Sequence, residues 1–135
     1  MKKYNFPNTY TLTKNLAEQA LKKHRHPRLC LTISRPAIVT ATQKFPFKGW
    51  TDSIAAGGAV VYTYGMGISS RDLSYSNVIN ATIPCDYVVN TILVATAHAA
   101  SLPTPSFKLY HGSPSGITDL KQSDFFGESF EYLKY

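Results

Sequence analysis

The chain has 135 residues, of which 44% are hydrophobic and 16% charged, so it is one globular domain or part of one, with enough length to bury a core. Its formal charge is +6, from 14 basic and 8 acidic residues, which favours anionic partners such as nucleotide phosphates or a membrane surface over cationic ones. Two cysteines without a Cys-x-x-Cys pair exclude a disulfide scaffold, and the lack of any apolar run of about 18 residues excludes a spanning helix.

Met1-Lys2-Lys3 leads into polar residues, which is not the pattern of a secretory leader. The first predicted helix runs from about Tyr10 to Lys23, capped by Asn8 or Thr9 and ended by Pro27. Leu12, Leu16, Ala17, Ala20 and Leu21 recur at helical spacing on one face. Six of the 14 basic residues (Lys2, Lys3, Lys22, Lys23, Arg25 and Arg28) cluster around this helix, where cations also suit its C-terminal end. Tyr10 and Lys14 stand four residues apart, which puts a phenol and an ammonium on the same side, one turn apart. A free tyrosine titrates near ~10, and a neighbouring ammonium favours the phenolate. Such a pair can act as a general acid toward a carbonyl oxygen that gains charge, and the lysine has donors left for a ribose diol. Spacing alone does not establish this, because a chain with nine tyrosines meets Tyr-x-x-x-Lys by chance, and a solvated surface helix satisfies the same pattern.

Arg28 to Ser34 is predicted to be a strand, closed by Arg35-Pro36; its nearly continuous apolar pattern predicts cover on both faces, as in a parallel sheet. Ligands of open α/β sheets lie beyond the carboxyl ends of strands, where Pro36 to Val39 fall. Thr40 to Trp50 reads as irregular, and residues 55–67 as a loop and short helix. Gly65-Met66-Gly67-Ile68 lacks the third glycine of a phosphate loop. Val78 to Ile83 reads as a short strand, and Pro84 and Asp86 suit the start of a helix through His98 that is apolar almost all round. Ser106 to His111 reads as a further strand and Ile117 to Phe126 as a helix. Phe125, Phe126, Phe130, Tyr132 and Tyr135 make an adhesive tail that a partner segment or lipid surface can take. Cys30 and Cys85 read as buried free thiols, and the four histidines lack metal spacing.

The stretch from Asn8 to Glu18 resembles the active-site helix of alcohol-forming fatty acyl-CoA reductases, the male-sterility type within the extended short-chain dehydrogenase/reductases. Ser34-Arg35-Pro36-Ala37-Ile38-Val39 with Pro46-Phe47-Lys48-Gly49-Trp50-Thr51-Asp52, and then Ile83-Pro84-Cys85-Asp86-Tyr87-Val88-Val89-Asn90, resemble the same family in the same order. The resemblance covers roughly residues 5 to 120. It implies an α/β fold, the C-terminal half of a Rossmann-like NAD(P)-binding domain with a small substrate-side region that includes residues 55–67. It further implies reduction of long-chain acyl-CoA to primary alcohol by NADPH. By this resemblance Tyr10 and Lys14 are catalytic, and Tyr10, Lys14, Pro36, Ala37, Ile38 and Val39 contact the cofactor. Arg35 and Asp86 match motif positions and are given structural roles first.

Only nine residues precede Tyr10, and the glycine-rich pyrophosphate turn that opens a dinucleotide fold is not in the chain. The expectation is therefore a reductase segment, residues 1–117, with a C-terminal helix and tail at 118–135, that lacks the first half of the sheet and is inactive alone. NADPH binding to the 135-residue chain is expected to be weak or nil; submicromolar affinity by calorimetry contradicts this. The alternatives are an aldehyde-releasing thioester reductase, a sugar-nucleotide epimerase, or a non-catalytic lipid- or nucleotide-associated remnant. Nucleic acid is not an expected partner, since no recognition module interleaves the basic residues with aromatics. Membrane-surface association is allowed by the aromatic tail. The resemblance implies an intracellular site, peroxisomal or at the endoplasmic reticulum, although Leu133-Lys134-Tyr135 is no peroxisomal address.

Overall fold

The structure, a computed structural model, describes residues 5–55, 57–68, 77–114, 121, 123 and 124. Its elements in chain order are α1 (Thr9–His24), β1 (Leu31–Pro36), β2 (Ile38–Thr40), α2 (Gly57–Gly65), β3 (Thr82–Pro84), α3 (Cys85–Ser101) and β4 (Phe107–Gly112). They divide into two compact units, one of residues 1–34 with 94–110, the other of 35–93 with 111–135.

In the first unit, α1 begins at Asn8, whose side chain accepts the Thr11 N–H at 2.9 Å while the Thr11 hydroxyl returns a bond to the Asn8 carbonyl at 3.0 Å. One of the orphan amides of the first turn is thereby satisfied. Asn8→Ala should cost about 1 kcal/mol, read as a lower thermal midpoint, whereas Thr9→Ala should cost little because Thr9 is inside the helix. Lys22, Lys23 and His24 occupy the last turn, where the carbonyl ends favour cations. Arg25 leaves the helix in extended conformation, and its guanidinium donates to the carbonyls of Leu29 at 3.2 Å and Ser106 at 3.1 Å. The Leu31 N–H also donates to Ser106, at 2.9 Å, where β1 and β4 begin to pair. The ammonium of Lys22 lies 5.1 Å from the Phe107 ring centroid.

The predicted strand at Arg28 starts three residues late. A turn intervenes, in which the Leu29 N–H bonds the His26 carbonyl and the Arg28 N–H bonds His26 Nδ1. Residues Leu31 to Ser34 are half-buried rather than covered on both faces, and Cys30 and Cys85 are free thiols that are likewise half-buried. The apolar stripe of α1 also stays at the surface, with Leu16 52% and Leu21 54% exposed.

In the second unit, β1 runs on through Arg35 and Pro36 instead of ending before them. The Ala37 N–H then bonds the Gly112 carbonyl at 2.8 Å, and β2 pairs in parallel with β3, Ile38 opposite Thr82, Val39 opposite Ile83 and Thr40 opposite Pro84. Buried Ile83 and Gly112 mark the centre of this unit. A side chain on Gly112 would meet the Pro36 Cα at 3.5 Å and Ile83 Cδ1 at 3.7 Å, so three strand ends close on a position with no Cβ. The predicted strand at Val78 contracts to Thr82–Pro84, with Ile79 joined only by a bridge to Lys121.

Helix α3 starts at Cys85 and reaches Ser101, longer than its apolar run suggests. Its uniform apolarity predicts burial, yet among the described residues only Ala95 and Ala99 are buried, and Ile92, Leu93 and Val94 are 47–68% exposed. Of the predicted helix at Ile117 to Phe126, only Lys121, Ser123 and Asp124 fall within the described residues, and the aromatic tail lies outside them. Helices with parallel strands are the content of a Rossmann-like α/β domain, here represented in part. No described helix is long and apolar enough to cross a membrane.

Candidate active site and an apolar cleft

Two features carry chemistry. The first is the Tyr10–Lys14 pair in the first unit. The capped first turn fixes its direction, and the Lys14 Nζ lies 5.5 Å from the Tyr10 ring centroid. The two side chains therefore point the same way, as their spacing predicts. Tyr10 is 68% exposed. Among the described residues neither the phenol nor the ammonium is engaged in a hydrogen bond, so both are available to a ligand. The phenol carries one hydroxyl donor and the ammonium three N–H donors.

Pro36 to Val39, expected just beyond the carboxyl end of the first strand, fall largely within strands. Pro36 is the last residue of β1, Ala37 is tied to Gly112, and Ile38 and Val39 form β2. Their backbone is used in pairing, and Ile38, 52% exposed, retains an apolar side chain to offer a flat ring.

The second feature is an open cleft of about 630 Å³ within the second unit. Thr40 and Ala41 at the end of β2, Gly49, Thr51, Ser53 and Ile54 of the following loop, and Gly57, Gly58, Val61, Tyr62, Gly65 and Met66 of and beyond α2 line it. Gly57 lets α2 sit against β2, since a Cβ there would lie 2.9 Å from the Thr40 Cγ2. The loop wall is built by Thr42, which is 4% exposed. Its hydroxyl donates to the Phe47 carbonyl at 2.7 Å and accepts the Trp50 N–H at 3.1 Å, and Gly49 turns back to its carbonyl with φ +83°. Only glycine holds that conformation without strain.

Asp86 finishes the loop. Its carboxylate accepts the N–H groups of Gln43 at 3.0 Å, Lys44 at 2.9 Å and Phe45 at 3.3 Å. Removal from water pushes the carboxyl up, but these backbone donors outweigh it and hold it below the usual aspartate value. The sequence places Asp86 at the positive end of a helix and, by resemblance, at a motif position with a structural role; its partners some forty residues upstream leave no local signal. A depressed folded-state value stabilises the fold above the ordinary aspartate range and is lost as pH falls through the folded value. Protection of the 43–45 amides, relative to their intrinsic exchange rates, should thus fall on acidification below about pH 4 and, at neutral pH, in Asp86→Ala. Unchanged protection in the variant would show that the carboxylate is not what holds the loop.

Among the described residues, no group of three or more His, Cys, Asp or Glu is arranged to hold a metal. His98 Nδ1 is instead 2.9 Å from the Tyr110 hydroxyl.

Helices with a parallel strand pair make the described residues part of an α/β domain. Residues 1–92 match the family described as male sterility protein, a family of NAD-binding domains, and the chain belongs to that family. It is 38% identical over 110 residues to a protein of Arabidopsis thaliana named fatty acyl-CoA reductase 1, covering 82% of this chain and 22% of the relative. Against fatty acyl-CoA reductase 1 of Xenopus laevis it is 36% identical over 113 residues, covering 84% of this chain and 22% of that one. Against the alcohol-forming fatty acyl-CoA reductase of Simmondsia chinensis it is 34% identical over 120 residues, covering 89% and 24%. The chain therefore spans under a quarter of the length of these relatives.

Proposed function

We propose that this chain carries the proton-donating and substrate-side part of a reductase that converts a long-chain fatty acyl-CoA into a primary alcohol. The observation that carries this reading is the Tyr10–Lys14 pair, co-directed and free of other hydrogen bonds among the described residues. Its similarity to fatty acyl-CoA reductases, one of them alcohol-forming, supports it. A bound nicotinamide would supply hydride; we take it to be NADPH, the more anionic dinucleotide, which a +6 chain favours.

Tyr10 donates to the thioester oxygen as negative charge develops there, a stabilisation realised in the transition state rather than in the ground state. Lys14 keeps its positive charge beside the phenol and offers its donors to the ribose, which fixes the donor's position. Thiolate departure from the hydride adduct leaves an aldehyde; once the oxidised dinucleotide is exchanged for a second NADPH and Tyr10 is reprotonated from solvent, a second hydride with Tyr10 in the same role would give the alcohol. Releasing the aldehyde instead would be the thioester-reductase variant, and product analysis separates the two.

The test transplants residues 5–114 into the matching region of the Simmondsia chinensis relative. Alcohol formation by that chimera supports the reading, and folded chimera without NADPH-dependent turnover of any acyl-CoA overturns it.

A further inference from the structure

We infer that the cleft beside α2 is the seat of the unbranched aliphatic chain, and that the α2 face gauges its length. This rests on the acyl reading above and assigns it a place. Gly58, Val61, Tyr62 and Gly65 recur at i, i+3, i+4 and i+7, so one face of α2 forms one wall. Glycines at both ends of that wall leave it open, and Val61 and Tyr62 stand between them.

The chemistry of the lining selects the occupant. Among the described residues no side chain that lines it is charged, so these residues offer no cation to the phosphates of a nucleotide or of coenzyme A. Two of its hydroxyls have local partners: Thr51 donates to the Ser53 carbonyl at 2.9 Å, and the Ser53 hydroxyl accepts the Ala55 N–H at 3.2 Å. Thr40 turns its methyl group toward α2. A polar ligand would recover little of its lost hydration from so few polar groups, whereas a hydrocarbon loses nothing. The volume, about 630 Å³, is in the range of sites that enclose most of a small ligand.

The test is displacement of a dansylated undecanoic acid from the full 135-residue chain by straight-chain fatty acids of increasing length. Affinity should rise about fourfold for each added methylene until the cleft is filled, and then level off. Val61→Trp should move that levelling point to shorter chains and weaken the longest acids at least tenfold, while Val61→Ala should move it to longer ones. The alanine variant keeps the test open if the tryptophan variant does not fold. Affinity independent of chain length, or a levelling point that neither variant shifts, overturns the assignment. The assay contains no dinucleotide and no thioester, so it reads the cleft alone. Normal length-dependent binding with a catalytically dead chimera would sink only the reductase reading, and turnover with a flat length dependence only this one.

Discussion

Tyr10→Phe in the reductase chimera should slow acyl-CoA reduction by about 10²–10³-fold while leaving dinucleotide affinity nearly unchanged. The substitution removes one hydroxyl and keeps the ring over which Lys14 sits, 5.5 Å from its centroid. Helix α1 is not expected to suffer, because the ring is 68% exposed and the cap at Asn8 is untouched. Lys14→Met should act differently. It removes the charge and the donors together, so weaker dinucleotide binding should accompany slower turnover. Steady-state kinetics with dinucleotide and acyl-CoA varied separately distinguishes the two patterns. Turnover within twofold of the parent in Tyr10→Phe would remove the phenol from the chemistry.

Gly57→Val should destabilise the chain by about 1–3 kcal/mol, seen as a fall of several degrees in the thermal midpoint. Even a methyl group at this buried position would stand 2.9 Å from the Thr40 Cγ2, with the Val39 carbonyl at 3.8 Å and Ile38 Cγ2 at 3.9 Å behind it. Neither strand nor helix can yield cheaply, since Thr40 is held in register with Pro84. The remedy is specific: Thr40→Ser deletes the opposing methyl, so Gly57→Ala should cost less in a Thr40→Ser background than alone. Additive effects would mean that the close approach is not the source of the cost.

Local chemistry made some elements readable from the letters and left others hidden. Helix α1 follows from a capping asparagine, helical spacing and a proline beyond its end, and each of these acts within a few residues. The orientation of Tyr10 toward Lys14 is equally local, because helix geometry sets it. Strand limits are not local. Whether Arg35 and Pro36 extend β1, or Val78 joins β3, depends on which backbone lies alongside, here Gly112 for Ala37 and Ala81 for Ile38. The burial of α3 was misjudged for a related reason: an apolar sequence states what a helix can bury, not what is present to cover it. The cleft and the Asp86 clamp depend on encounters between segments distant in sequence, so the resemblance marks Asp86 and residues 55–67 without naming what they meet.

The closure at Gly112 bears on how this protein is made. Pro36, Ile83 and Gly112 meet there, and the Ala37 amide finds its acceptor only at that glycine. A ribosome adding about 5–20 residues each second delivers the acceptor several seconds after the amide. During that interval β1 is unmatched along one edge, so the nascent chain is most exposed to self-association before its last quarter emerges, and slower elongation just upstream of codon 112 would lengthen the hazard.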